Sequence, residues 1–329
     1  MHLYFRIATS CLLLNPLAFA YGNVPSSSKT LEAVRADLMS GRADHGLESL
    51  DQILTQQPQN AEAHNLRCRI YMQEKHWDEA ITSCKTAVKL EPSNSEYHLW
   101  LARALGEKAD RVSFITAYKM AKQIHQEFET AASLDPHNVG ALSDLGEFYV
   151  DAPGIVGGGT DKAEKLSQQL EAISPEKAHY IRARIADDQK NFTQAEQEFK
   201  AAIASAKDPS SAWMDLASFY RRRQRWDDMI QAVHAGADAN TKHDAALVDG
   251  ASTLIRANRD LPYARQLLEE YLASPNRSED APAFGVQVQL GKLLTKLGDE
   301  QSAQQQFAAA QELAKDYQVG THGATNTGR

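Results

Sequence analysis

The stretch Trp213–Gly236, WMDLASFYRRRQRWDDMIQAVHAG, decides the fold. Trp213, Leu216, Ala217 and Tyr220 stand at i, i+3, i+4 and i+7, the spacing of one face of a helix. After RRRQR, Trp226, Met229, Val233 and Gly236 give a second apolar stripe at helical spacing. Two amphipathic helices joined by a short polar turn fit this pattern. Each is too short to be stable alone, so the pair must bury its stripes against neighbours.

Neighbours of the same kind run along the chain. Pro58 and Pro92 lie 34 residues apart, each after a run of helix formers and each followed by a similar segment, QNAEAH or SNSEYH. Between them His64, Cys68 and Tyr71 form one stripe, and Trp77, Ala80, Cys84 and Ala87 form the next. Leu142, Leu145, Gly146 and Tyr149 pair with Ala163, Ser167 and Leu170. Ala195, Phe199 and Ala202 follow a first helix near residues 178–188, and Leu290, Gly291 and Leu294 pair with Ala303, Phe307 and Ala310. Fainter copies begin near Leu31 and Ala245. The unit from Ser95 to Pro136 keeps Leu101, Ala102, Leu105, Phe128 and Ala131 but carries extra residues around EKADRVSFITAYK, which lengthened helices would absorb. No alternating strand pattern persists, so the chain reads as all-helical.

These residues resemble the tetratricopeptide repeat, whose paired helices carry small residues where they approach and large ones between successive hairpins. Met229 departs from the pattern, standing where the family has alanine, and predicts looser packing in that hairpin. The resemblance implies an all-α, right-handed superhelical solenoid of about eight hairpins over residues 27–317, in an exported bacterial protein of this type. It further implies a non-catalytic protein–protein interaction scaffold with no cofactor, whose first helices line a concave groove for a peptide or protein segment. The residue after each small packing position points into that groove. Applied here, this places Arg69, Arg103 and Arg184 on the inner face, with Asn65 one turn before Arg69 and Arg221 and Arg222 further along. Repeated arginines suit a carboxylate or phosphate held by bidentate bonds. The lysine and asparagine pairs of the family's carboxylate clamps are not reproduced, and Glu62, Glu96 and Glu147 offer a plainer reading, a balanced and solvated charged face.

The first residues, MHLYFRIATSCLLLNPLAFAYG, place Arg6 before an apolar run and Ala18-Phe19-Ala20 before Tyr21. That is the pattern of a cleaved export signal, residues 1–20, followed by a linker, 21–26. The apolar run is too short to span a bilayer. A periplasmic or secreted protein without stable membrane insertion is expected. The polar end, residues 318–329, reads as a disordered tail. Over 329 residues, 43% apolar and 24% charged composition suits a folded chain, and a net charge of −8 argues against broad nucleic-acid binding. Removal of the signal leaves Cys68 and Cys84. They read either as a disulfide, suited to an oxidising compartment, or as two small buried thiols.

The glycine run Ala152–Ala163, APGIVGGGTDKA, invites a phosphate-loop reading. It follows a helical pattern rather than a strand, and Lys162 precedes Ala163 rather than a hydroxyl residue, so a lengthened turn fits better. In that turn Thr160 or Asp161 would cap the next helix; a separate reading has the loop fold over one edge of the groove and touch a partner. His64 and His98 occupy equivalent places in successive units and read as packing residues, since no metal-ligand spacing accompanies them. Two other functions stay open. One is binding of a small ligand, metal or cell-wall fragment in a convergent pocket. The other is self-association through an end hairpin bearing Leu293 and Leu297.

Overall fold

The computed structural model describes residues 27–317, so the expected signal segment, linker and tail lie outside the described residues. Within them sixteen α-helices and one 3-10 turn follow one another, without a strand. They pair as eight hairpins. The first four are α1 (Ser27–Ser40) with α2 (Ala43–Gln56), α3 (Ala61–Gln73) with α4 (Trp77–Leu90), α5 (Ser95–Ala109) with α6 (Phe114–Leu134), and α7 (Val139–Asp151) with α8 (Thr160–Glu171). The second four are α9 (Pro175–Asp188) with α10 (Phe192–Ser205), α11 (Ser210–Arg222) with α12 (Trp226–Ala239), α13 (Ala246–Ala257) with α14 (Leu261–Ala273), and α15 (Ala283–Leu297) with α16 (Glu300–Leu313).

Two recurring turns shape the row. Between hairpins, Pro-x-Asn stops one helix and starts the next: the side chains of Asn60, Asn94 and Asn138 accept from the backbone N–H groups of Ala63, Glu96 and Ala141. Within hairpins, one residue in the left-handed region reverses the chain. Gly41, Lys75, Lys190, Gln224 and Gly298 all take positive φ there, between 56° and 85°. The third and fourth hairpins depart from that rule, and the seventh turns on two such residues, Asn258 and Asp260, at φ 53° and 41°. The extra residues of the third go into α6, which runs 21 residues against 14 for α4, α10, α12 and α16.

Small residues mark where helices meet most closely. A Cβ on Gly146 would lie 2.7 Å from Ile181, and one on Gly291 would lie 2.5 Å from the Phe307 ring. Met229 corrects the expectation of loose packing. It is fully buried in one continuous core with Ala217, Tyr220 and Val233, because an unbranched thioether fills an irregular gap that alanine would leave.

The ends of the row meet. Leu38, Leu50 and Ile70 from the first two hairpins share one core with Phe284, Val288 and Ala310 from the last. At the seam a Cβ on Gly41 would come 2.5 Å from the backbone nitrogen of Ala283, so only glycine fits that contact. Gln73 Nε2 spans the junction, donating to the carbonyls of Leu38 and Glu279. The Lys315 N–H donates to Asp44, and the Lys75 ammonium lies over the Tyr317 ring. Closure leaves the eighth hairpin partly covered by the first. Leu293 is buried in the core, while Leu297 remains exposed, so the apolar end surface expected from these two residues is reduced to one.

Candidate functional site

The first helices build the inner wall, and their arginines are fixed by carboxylates from neighbouring elements. Arg69 on α3 and Arg103 on α5 lie on the Trp100 indole, each 4.7 Å from the ring centroid. Arg69 pairs with Glu279, in the segment before α15, and Arg103 Nε donates to Asp144 on α7 at 2.6 Å. Arg184 Nη2 reaches both oxygens of Asp151 at 2.8 and 2.9 Å, while its Nη1 donates to the Tyr180 hydroxyl at 3.0 Å. Arg222 Nη2 donates to Asp187 at 3.0 Å, and Arg223 shares that carboxylate.

The other two residues expected in the groove stand differently. Arg221 has a buried Nε without an acceptor among the described residues. Burial, then Arg256 and Arg222 nearby, hold its guanidinium below the ordinary range. Asn65 is buried, with its amide nitrogen unpaired among the described residues, and is not on the open face of α3.

Most of these arginines are therefore charge-balanced, and Arg221, Arg256, Asp215 and Asp249 have no ion-pair partner among the described residues. Burial pushes Asp215 on α11 up to about 7; Lys177 opposes the shift, and Glu147 and Asp249 add to it. Asp249 on α13 is pushed up to about 6 by burial, then by Asp280, with Arg256 pulling it down. Its side chain is accessible yet lines a recess between the walls, which is how an accessible carboxylate comes to be poorly solvated. That space is a cavity of about 570 Å³. Arg69, Gln73 and Trp100 line one side, and Asp249, Ser252, Arg256 and Gln289 line the other.

The glycine run makes no phosphate cradle. The N–H groups of Gly157, Gly158 and Gly159 donate to the carbonyls of Gly154, Pro153 and Tyr149. Lys162 donates to the Gly157 carbonyl at 2.8 Å and sits over the Tyr149 ring. The glycine N–H groups and the lysine that a phosphate loop would use are engaged within the turn. Neither Thr160 nor Asp161 caps α8; Gly159, at φ +151°, holds the cap position without a side-chain bond.

His64 and His98 close the Pro turns, each with Nε2 2.9 Å from the carbonyl of the proline six residues earlier, Pro58 or Pro92. His98 also bonds Glu127 at 2.6 Å, and that bond raises its pKa against the effect of burial. No group of three metal-ligating side chains occurs among the described residues.

Sequence reasoning missed Trp100 and Glu279. Trp100 carried a signal, since it stands one residue before the packing Leu101. Glu279 carried none, because it lies outside every helix and reaches its partner only through closure.

Eight stacked helix hairpins with a polar inner wall define an α-helical repeat solenoid. The chain belongs to the tetratricopeptide repeat family: models described as tetratricopeptide repeat match residues 37–104, 160–243 and 285–317. Among solved structures it is similar to a thermophilic TPR protein of Thermus thermophilus, at 19% identity and a TM-score of 0.48, covering 63% of this chain and 100% of that one. It is also similar to the MamA protein, at 19% identity and a TM-score of 0.41, covering 54% of this chain and 91% of that one. These likenesses concern the fold alone. No curated protein matches the chain. Repeats of this family in general mediate protein–protein interaction, and no helix among the described residues is long and apolar enough to cross a membrane.

Proposed function

We propose that this protein is a non-catalytic interaction scaffold of the cell envelope, which holds a segment of a partner protein against its inner wall. The Arg69–Trp100–Arg103 stack carries the reading. Arginine and tryptophan dominate binding energy where they are rigid and desolvated, and here both guanidiniums are locked by ion pairs yet keep donors unused among the described residues. A pre-ordered wall lowers the entropy cost of holding an extended chain. The arginines take a carbonyl or carboxylate at one side of the chamber, and Asp249 takes a basic residue at the other. A disulfide joins Cys68 on α3 to Cys84 on α4, with Cα atoms 5.3 Å apart. Its presence supports export to an oxidising compartment.

The recess supports a second reading, a small ligand such as a cell-wall fragment, because about 570 Å³ lies within the range of small-molecule sites. One experiment separates the two. Mature protein is crosslinked in its native envelope and captured, beside a variant carrying Asp249→Lys and Arg256→Glu. Neither residue has an ion-pair partner among the described residues, so the hairpins should persist. Partner proteins lost from the variant would support the scaffold. Identical captures would refute the inner-wall assignment, and empty captures with a bound small molecule in native mass spectrometry would favour the second reading.

A further inference from the structure

A second surface lies beside the inner-wall chamber, where the third and fourth hairpins depart from the regular repeat. The second helix of the third hairpin overhangs its partner. None of the first ten residues of α6 is buried, and burial begins at Ile124. Yet the apolar stripe does not stop there. Phe114, Ala117, Tyr118 and Ala121 stand at i, i+3, i+4 and i+7 and continue the face that Ile124 and Phe128 bury lower down. An amphipathic helix that keeps its stripe beyond its own hairpin presents that stripe to something else.

The uncovered stripe forms one wall of an apolar groove of about 740 Å³. The C-terminal end of α5 and the flank of α7 form the floor, and the glycine run supplies the far lip through Ile155 and Val156. Gly157 sits against the His125 ring so closely that a Cβ would lie 2.5 Å from it, which pins the lip to α6. At the mouth, Phe114 and Ile155 are 84% and 74% exposed, and Ile115, next to Phe114 in the chain, is 70% exposed.

Charge decides what fits. Every charged residue lining the groove is acidic: Asp110, Asp144, Glu147 and Asp151. Asp144, Glu147 and Asp151 are engaged by Arg103 and Arg184, but Asp110 has no partner among the described residues. Both α5 and α7 end at the groove, adding the partial negative charge of helix C-termini. We infer that this groove is a second docking surface, which takes an amphipathic helix of a partner protein carrying lysine or arginine beside its apolar stripe. The helix lays its apolar face on Phe114, Tyr118 and Ile155, and its basic flank meets Asp110.

The test uses the mature protein and two labelled synthetic peptides that share one leucine stripe at i, i+3, i+4 and i+7, one flanked by lysines and the other by glutamates. Gly106 provides a plug, since it lines the groove within α5 and a Cβ there meets nothing within 4 Å. Gly106→Leu should therefore fill the groove without disturbing the fold. The lysine peptide is expected to bind at least tenfold tighter than the glutamate peptide, and Gly106→Leu or Phe114→Asp should each weaken it at least tenfold while leaving the circular dichroism unchanged. Equal binding of the two peptides, no binding of either, or lysine-peptide binding indifferent to both variants would overturn the inference. So would a concentration-dependent dimer that Phe114→Asp dissolves, which would make a second copy the occupant.

Discussion

Arg69 on α3 and Glu279, 210 residues later, form a two-pronged ion pair, Nε to Oε2 at 2.8 Å and Nη2 to Oε1 at 2.6 Å. Both side chains are about four-fifths covered. The pair ties the second hairpin to the segment that enters the eighth. Removing either partner leaves a poorly solvated charge, so Glu279→Gln should cost about 1–3 kcal/mol at this seam. Hydrogen exchange should quicken in α1, α2 and α16 and stay unchanged in α9 to α12. Uniform exchange across the chain would argue that the pair does not hold the ends.

Glu74 gives the seam a pH dependence. Its side chain is 1% exposed, both oxygens lack hydrogen-bond partners among the described residues, and His76 Nδ1 is 3.8 Å away. Burial, then Asp44 and Asp316, push it from 4.5 to about 7 against the pull of Lys315. The folded value lies above the unfolded one, so ionisation opposes folding. The cost is absent below the unfolded value, grows as pH rises through the window, and is complete above about 7. Glu74→Gln should stabilise the protein at pH 8 by on the order of 1–3 kcal/mol and make no difference at pH 4. Urea midpoints of the two proteins across that range provide the comparison, and parallel curves would contradict the assignment.

The Cys68–Cys84 disulfide closes a short loop inside one hairpin. Replacing both cysteines by serine should cost about 3 kcal/mol, felt mostly in the second hairpin because each repeat contacts only its neighbours. Thermal melts with and without reductant measure this in the wild type, and the double-serine variant should ignore the reductant. A wild type equally indifferent would show that the thiols are not paired.

Two glycines in helix interiors should answer alanine oppositely. Gly106→Ala gains helix propensity of about 1 kcal/mol with open space around it. Gly291→Ala gains the same but drives a methyl into the Phe307 ring, 2.5 Å away, and overpacking of about 1–3 kcal/mol outweighs the gain. Denaturant midpoints should move apart. Shifts of equal sign would mean that α15 and α16 do not meet as closely as described.

The all-helical repeat was legible because helical spacing and the Pro-x-Asn turns are local, and Trp213 to Gly236 contains a whole unit. That Arg69, Arg103 and Arg184 recur on first helices was legible for the same reason. Their partners were not, since Asp144 and Asp151 come from the next hairpin or the one before, and Glu279 from the far end of the chain. A periodic pattern specifies which face of a helix is covered, but not the small rotation per repeat, and that rotation, summed over eight hairpins, brings Gly41 against Ala283. The loops were harder still. Gly159 rather than Thr160 or Asp161 caps α8 because backbone hydrogen bonds within the glycine run fix its path, and no side-chain signal records them.

The inner wall is a bounded chamber only if the first and last hairpins meet, and a crosslink across the seam tests this most directly. Met39 and Pro275 line one surface recess although 236 positions separate them in the chain. Protein carrying Met39→Cys and Pro275→Cys is treated at high dilution with a short bismaleimide, in native buffer and in urea. Peptide mass should show one intramolecular link between positions 39 and 275 in the folded protein and none in the unfolded one. Single labelling at both cysteines in native buffer, with no link, would mean an open solenoid and no chamber.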